Sequence, residues 1–518
     1  MCEDASYRYE KLEANRRQMN SSKQIKLGAI LSYFAIAFNI ISGLLYTPWM
    51  EDTIGQSQYG LYALANSLIT LFMVDFGLSA ATSRYLSKYN AEGNREAAER
   101  FLGAIYKLYM IIDGVIFTVL LILFFFLDQI YVKLTPTELE QFKVVYVISA
   151  LFSVINFPFV TFNGILTAYE KFVPLKVLDF LYRAFNIGFT VIALLMGYGL
   201  YALVTVHAAV GLLILVIKFI VIRKTIPVRV KFKSSQKGIY KEIFSFSLWV
   251  TVSSLALRLV FNITPSILSI VAGGTAAAAV FAVVTTLEGY TYMVTNAING
   301  MFMPRISRYM AKENGEEDLN ALFVSVGKFQ FVLNGLIVAG LCVVGKSFIG
   351  LWMGEEYQGA YYGVLLVVMP GLFYNAMQIA NTTMIVQKKV KTTAWVNVAT
   401  GLINVALSFP LSYLLGVTGA CISICVAYCV RAVALIIIYH KKLPLDIPGF
   451  LKNCYMRMCI PVLLTIAAGL AMNYFVADGG WLMFLIKAGI TAMLYLVLTF
   501  LLGYSKAERK DVLRYIKR

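Results

Sequence analysis

The chain has 518 residues, of which 59% are hydrophobic and only 14% are charged, and its mean hydropathy is +0.73. A composition this apolar excludes an ordinary soluble domain and indicates an integral membrane protein. The net charge of +17 accompanies no basic domain that stands apart from the apolar stretches, which argues against a nucleic-acid-binding protein.

Apolar stretches follow one another along the whole chain. A membrane-spanning helix needs about 20 apolar residues to cover about 30 Å of hydrocarbon. By this criterion the chain has about fourteen spans, at residues 25–50, 59–82, 101–127, 143–163, 172–196, 199–222, 243–271, 276–302, 321–345, 359–384, 393–413, 417–439, 453–476 and 481–503. The sequence therefore predicts an all-α polytopic membrane protein.

The connections between these stretches alternate in charge. One set, which includes both termini, holds 33 Lys and Arg residues, whereas the alternate connections hold only Lys133 and Lys346. Because cytoplasmic loops are enriched in Lys and Arg, this asymmetry predicts a multi-pass protein of a bacterial inner membrane with both termini in the cytoplasm. The positive charge also favours contact with anionic membrane lipids.

Two short motifs recur in the second part of the chain. Ser83–Lys88 after the second span resembles Ser307–Lys312 after the eighth, and Leu166–Lys171 corresponds to Met384–Lys389, with offsets of 224 and 218 residues. These offsets predict two six-span halves of the same orientation, as found in transporters. The predicted organisation is a cytoplasmic tail (1–24), an N-terminal half (25–222), a basic cytoplasmic linker (223–242), a C-terminal half (243–440), two extra spans (441–503) and a basic cytoplasmic tail (504–518).

Tyr59-Gly60-Leu61-Tyr62 begins the second span and Asp75-Phe76-Gly77-Leu78 lies near its end. With the repeated Ser-Arg-Tyr and the topology of twelve plus two spans, they resemble the polysaccharide transporter branch (oligosaccharide flippases of the O-antigen type) of the multidrug/oligosaccharidyl-lipid/polysaccharide exporter superfamily. The resemblance covers essentially the whole chain. It implies a flippase that moves an undecaprenyl-pyrophosphate-linked oligosaccharide to the external leaflet, by alternating access, for the assembly of a cell-surface polysaccharide such as lipopolysaccharide. The implied partners are that lipid and the polymerase or glycosyltransferases of the same pathway.

Other functions are less well supported by the sequence. It has no His-Glu-x-x-His zinc motif and no soluble domain that could bind a nucleotide, so we expect neither enzyme activity nor a cofactor. Cys421, Cys425 and Cys429 are interpreted as packing residues rather than metal ligands. A membrane polysaccharide polymerase or ligase usually has a long external loop, whereas the longest predicted one here is residues 128–142. A cation-coupled drug or metabolite exporter and a peptidoglycan-precursor flippase share the two halves and are the alternatives within transport.

Four charged residues lie near the predicted midplane, roughly 15–22 Å from a span end: Asp113, Arg183, Arg258 and Glu288. We expect Arg258 to hold the pyrophosphate, because a guanidinium offers planar, bidentate donors to phosphate oxygens. The alternative is a structural ion pair with Glu288. Glu288 and Asp113 are also candidates for protonation sites that couple transport to a proton gradient.

Five further residues complete the candidate set. Asp179 lies one helical turn before Arg183 and can pair with it, or Arg183 can be a second phosphate contact. His207 in span six is a candidate proton relay or a hydrogen-bonded residue of the helix bundle. Lys218, Lys328 and Arg431 lie about 6–13 Å from the cytoplasmic ends of their spans. They would either line a vestibule that attracts an anionic headgroup or extend to the interface.

Overall fold

The computed structural model describes residues 27, 31–73, 75–232, 239–296, 302–312, 315–387, 389–477 and 479–510. The predicted N-terminal tail (1–24), linker residues 233–238 and residues 511–518 of the predicted C-terminal tail lie outside these ranges. Within the described ranges the chain is almost entirely helical and contains no strand. It divides into two compact units, Met1–Ser254 and Leu255–Arg518.

The first unit is built from long apolar helices joined by short connections. Pro158 lies in a 3₁₀ turn, Phe157–Val160, that joins two of them. The helices are α1 (Leu31–Ile54), α2 (Gln56–Phe72), α3 (Leu78–Ala91), α4 (Arg95–Ile130), α5 (Pro136–Asn156), α6 (Thr161–Ala168), α7 (Phe172–Leu195), α8 (Gly199–Thr225) and most of α9 (Ile239–Phe261).

The second unit continues from the end of α9. A π-helical turn, Leu451–Met456, precedes its penultimate helix and another, Thr499–Gly503, follows its last one. The helices are α10 (Thr264–Val271), α11 (Gly274–Asn296), α12 (Met303–Ala311), α13 (Gly315–Met353), α14 (Ala360–Ala376), α15 (Gln378–Val386), α16 (Val390–Lys442), α17 (Ile447–Phe450), α18 (Arg457–Phe475) and α19 (Gly480–Leu498).

The second predicted span, 59–82, is broken, so the prediction of one continuous helix there is wrong. Gly77 has a φ of 65°, in the left-handed region that favours glycine, and it separates α2 from α3. The Asp75 carboxylate accepts a hydrogen bond from the Ser79 backbone N–H at 3.2 Å and another from the Tyr109 hydroxyl. The Asp-Phe-Gly sequence is therefore a capped helix break.

Helix α16 contains two spans. Its 53 residues correspond to about 80 Å of helix, far more than the ~30 Å of a bilayer core. Gly416 has non-helical dihedral angles (φ 59°, ψ −135°) and interrupts the helix. Residues 390–415 and 417–442 therefore form separate segments, which agree with the predicted spans at 393–413 and 417–439.

The predicted fold class is confirmed. Eleven described helices are individually long and apolar enough to cross a membrane, and α14 with α15, bent by 55°, makes twelve. The split of α16 and the 17-residue α2 bring the segments to the predicted fourteen. Large apolar side chains are exposed on these helices, as in Phe125 (69%) and Leu482 (74%), which suits a lipid-facing surface.

The regions around the repeated motifs contain the same order of elements in the two units. The repeated Ser-Arg-Tyr motifs lie on α3 and α12. Helix α3 packs against α4 and α6, and α12 packs against α13 and α15. The second pair of repeated segments follows the same scheme, because one ends α6 and the other ends α15. Positions in the two units can therefore be compared directly.

Residues 226–232 of the predicted linker (223–242) follow the end of α8 and are bonded to α4. The Lys231 backbone N–H donates to the Glu99 carbonyl at 3.3 Å, and the Lys231 ammonium pairs with the Glu99 carboxylate at 2.8 Å. Arg95 donates to the Pro227 carbonyl at 2.5 Å. This part of the linker is thus fixed to the first unit by a buried acid.

Candidate functional site

In the first unit, the Lys218 ammonium on α8 lies 2.9 Å from the Asp179 carboxylate on α7. It also donates to the Asn163 side-chain oxygen on α6 at 3.0 Å. Its side chain is only 15% exposed. The positive charge of Lys218 is therefore balanced by an acid on a neighbouring helix.

This pairing replaces the expected one between Asp179 and Arg183. Arg183 instead donates to the Asn39 side-chain oxygen on α1. The one-turn spacing permits an intrahelical pair, but Lys218 approaches Asp179 from α8 and competes with it. Arg183 is exposed and forms no ion pair within the part of the chain that the structure describes.

His207 lies in a hydrogen-bonded pocket of the helix bundle. The Tyr182 hydroxyl is within 3.2 Å of both ring nitrogens, and the Asn186 amide nitrogen is 3.0 Å from Nδ1.

Asp113 lies half-buried on α4. Its Oδ1 is buried and accepts no hydrogen bond from the described residues.

In the second unit, Arg431 is almost fully buried, at 5% exposure. Its Nε donates to the Asn397 side-chain oxygen at 2.9 Å, and its Nη2 donates to the Tyr374 hydroxyl at 2.9 Å. The guanidinium carbon lies 4.1 Å from the ring centre of Tyr374 and 5.4 Å from that of Tyr428. Among the described residues, all of these partners are neutral and none is an acid.

Lys218 and Arg431 donate to residues that the repeat aligns with each other. The 218-residue offset between the repeated segments aligns Asp179 with Asn397. Each of these residues accepts a hydrogen bond from the basic side chain of the following span, Lys218 in one unit and Arg431 in the other. The first unit uses an acid at this position and the second an amide, so Arg431, unlike Lys218, has no acid as its partner among the described residues.

The residues that hold Arg431 were not identified from the sequence. Asn397 could have been found, since the 218-residue offset already aligns it with Asp179 in the repeat. Tyr374 and Tyr428 carry no comparable signal, because tyrosine is common in membrane helices and its partner depends on helix packing.

Lys328 is paired with the C-terminal segment. Its ammonium lies 2.5 Å from the Glu508 carboxylate, and the two side chains are 5% and 34% exposed. The other Glu508 oxygen accepts from the Ser505 backbone N–H at 2.7 Å. Burial raises the pKa of Glu508, but the bonds from Lys328 and Ser505 outweigh it and hold that pKa below its usual value. Lys328 therefore anchors the segment after α19.

Arg258 lies half-buried in the last turn of α9. Glu288 lies half-buried on α11. Over the described ranges of the chain, no ion pair joins these two side chains. The structure thus places the expected pyrophosphate contact and the expected coupling acid on neighbouring segments without bringing them together.

A crevice opens beside Arg431, between the first and last turns of α16. It encloses about 550 Å³, and its lining includes Lys391, Trp395, Arg431 and Lys442. The described lining residues include three cations and no acid.

A family model described as "Polysaccharide biosynthesis protein" matches residues 27–310. The chain belongs to this family. This confirms the resemblance that the motifs and topology predicted. A search of curated proteins found no match.

Solved structures show the same fold. A lipid II flippase MurJ in an inward closed conformation is 14% identical, with a TM-score of 0.69, 92% of this chain covered and 98% of that one. An inward-facing MATE multidrug resistance transporter of the MOP superfamily is 13% identical, with a TM-score of 0.65 and coverage of 82% and 99%. A MATE transporter of Vibrio cholerae is 14% identical, with a TM-score of 0.58 and coverage of 82% and 98%. The protein therefore has the same overall fold as these membrane proteins.

Proposed function

We propose that the protein is a flippase that moves a polyprenyl-pyrophosphate-linked oligosaccharide from the cytoplasmic to the external leaflet of a bacterial inner membrane. The movement occurs by alternating access, serves cell-surface polysaccharide assembly and makes or breaks no bond in the substrate. Both termini lie in the cytoplasm. Family membership and the fold shared with a lipid II flippase support this proposal.

The observation that carries the proposal is that Arg431 is buried and has only neutral partners among the described residues. A guanidinium in a membrane-spanning segment is costly unless it serves a pathway or has a counter-ion. Arg431 has neutral partners only within the described structure, and its two hydrogen bonds use two of its five N–H groups. The remaining donors and the full positive charge suit a phosphate oxygen.

Two further cations support an anionic substrate. Arg183 is exposed on α7 and is held by the neutral Asn39 side chain, so it is the proposed phosphate contact of the first unit. Arg258, half-buried at the end of α9, is a second candidate phosphate contact, in the second unit. Lys218 and Lys328 are assigned to structure instead, because acids already neutralise them.

The proposal is tested by measuring lipid-linked oligosaccharide in each leaflet in cells depleted of the protein. Depletion is expected to raise the cytoplasmic-leaflet pool, and the wild type is expected to clear it. Arg431→Gln and Arg258→Ala should clear it poorly at equal expression. Lys441→Ala is the matched control, since Lys441 is an exposed cation outside the crevice lining.

The alternatives give different results in the same cells. Accumulation of the peptidoglycan precursor alone would assign the protein to that substrate. Absence of any lipid-linked intermediate, together with loss of drug efflux, would replace the flippase with a drug exporter.

A further inference from the structure

The crevice beside Arg431 lies between two distant parts of α16. One wall comes from its first turns, around Lys391 and Trp395, and the other from its last turns, up to Lys442. The two ends of α16 are joined by two hydrogen bonds. The Lys389 ammonium donates to the Lys442 carbonyl at 2.7 Å, and the Lys442 ammonium donates to the Thr392 hydroxyl at 2.9 Å.

The cations of the crevice lie at two levels. Asn397, which receives the Arg431 hydrogen bond, is six residues beyond Lys391, a rise of about 9 Å along the helix. Lys391 and Lys442 therefore form an outer level and Arg431 an inner one. The hydrogen bonds that Lys442 and Arg431 make here go to neutral oxygens, so these bonds do not cancel either charge.

Apart from Thr392 and Thr400, the rest of the lining is apolar. Val396, Ala399, Val430, Ala434 and Ile438 line the crevice with Trp395. The Trp395 side chain is 59% exposed, although large aromatic surfaces are usually covered when they have a packing role. This surface can accept a hydrocarbon chain beside a charged headgroup.

We propose that this crevice binds the pyrophosphate group of a polyprenyl lipid, with the first isoprene units against the apolar wall. This inference rests on the proposed flippase function and specifies where its substrate is held. The guanidinium of Arg431 contacts one phosphate, and Lys391 and Lys442 contact the other. Two linked phosphates satisfy both cation levels, whereas the single phosphate of a phospholipid engages only one of them.

Binding is tested on the detergent-solubilised full-length protein by native mass spectrometry. The probes are undecaprenyl pyrophosphate, phosphatidylglycerol and inorganic pyrophosphate. The wild type is expected to bind undecaprenyl pyrophosphate about tenfold more tightly than either of the others. The double variant Lys391→Ala/Lys442→Ala should lose about tenfold of that affinity, and Lys441→Ala should lose none.

Arg431→Lys separates a lost contact from a lost fold, because it keeps the charge and removes the planar fork. It should weaken binding several-fold while the melting temperature stays near that of the wild type. Wild-type affinity in both Arg431→Lys and the double lysine variant would overturn the site. Equal binding of phosphatidylglycerol would overturn the pyrophosphate assignment, and equal binding of inorganic pyrophosphate would overturn the role of the apolar wall.

These results are independent of the leaflet assay. If undecaprenyl pyrophosphate binds as expected but depleted cells accumulate no lipid-linked oligosaccharide, the site stands and the flippase function fails. If the cells accumulate the intermediate but the crevice variants bind the lipid normally, the function stands and the site fails.

Discussion

Lys218 in the first unit and Arg431 in the second make similar contacts, but an acid balances the charge of Lys218 and an amide contacts Arg431. In both, a basic side chain donates to a polar residue on the preceding span. Asp179 turns the first into an ion pair, whereas Asn397 leaves the second positive. A single position, occupied by an acid or by its amide, therefore separates a structural contact from a candidate anion-binding contact.

The largest effect is expected when the second unit is made like the first. Asn397→Asp places a carboxylate beside Arg431 and cancels the charge offered to the substrate. Transport should fall about tenfold or more, since a hydrogen bond to a charged group is worth ~1.5–3 kcal/mol. A leaflet-specific flipping assay in proteoliposomes measures this loss.

Asp179→Asn is the mirror-image control. It removes the counter-ion of Lys218 in the first unit, where we assign a structural role, so transport should stay near the wild-type rate. Equal transport by wild type and Asn397→Asp would show that the Arg431 charge has no part in substrate handling.

Breaking the ion pair of the first unit should affect stability more than transport. Lys218→Met leaves the Asp179 carboxylate without its counter-ion. Because that side chain is 42% exposed, the cost should be about 1–2 kcal/mol, below the range for a fully buried pair. Thermal unfolding in detergent should show a lowered melting temperature. The double variant Lys218→Met/Asp179→Asn should recover much of it, and no recovery would mean that the methionine disturbs packing instead.

The break between the two spans of α16 gives an effect of at most similar size. Gly416 has a φ of 59°, which costs an L-residue roughly 1–2 kcal/mol. Gly416→Ala should therefore lower stability by about that amount, measured by thermal unfolding. Gly340→Ala is the matched control, because Gly340 lies inside α13 and an added Cβ there meets no atom within 4 Å. Equal melting temperatures for both variants would contradict a strained break.

The smallest effect concerns the bond between Lys328 and the C-terminal segment. The pKa of Glu508 is lower in the folded protein than its ordinary value of 4.5, so its stabilising contribution is present above pH 4.5 and is lost as the pH falls through the folded pKa. As the pH falls through this range, amide hydrogen exchange of residues 505–510 should accelerate more in the wild type than in Glu508→Gln, after correction for intrinsic exchange rates. The same pH response in the variant would assign the opening to other groups.

Much of the fold could be predicted from the sequence. Hydropathy over about 20 residues is a local property, and it located the fourteen segments, including the two within α16. The helix break at Asp75–Gly77 was not predicted, although the motif itself was identified. The surrounding sequence is apolar enough to be predicted as one span, whereas in the structure Gly77 adopts a left-handed conformation and Asp75 accepts hydrogen bonds from Ser79 and Tyr109.

The candidate site was harder to predict from the sequence, because the partner of a buried charge is set by helix packing. Asp179 has a neighbour of opposite charge one turn away, yet it pairs with Lys218, 39 residues further on. Lys328 is paired with Glu508, 180 residues away. The depth of each charged residue within its span could be estimated from the sequence. Whether a residue of opposite charge lies beside it could not.

The sequence by itself determined the membrane topology, the duplication and the set of costly intramembrane charges, since these follow from local hydrophobicity and from the price of a charge in hydrocarbon. Only the tertiary structure decided which charges are compensated. It paired Lys218 and Lys328 with acids and surrounded Arg431 with Asn397 and two tyrosines. Coulombic interactions act over a few ångströms, and only folding brings residues from distant helices that close.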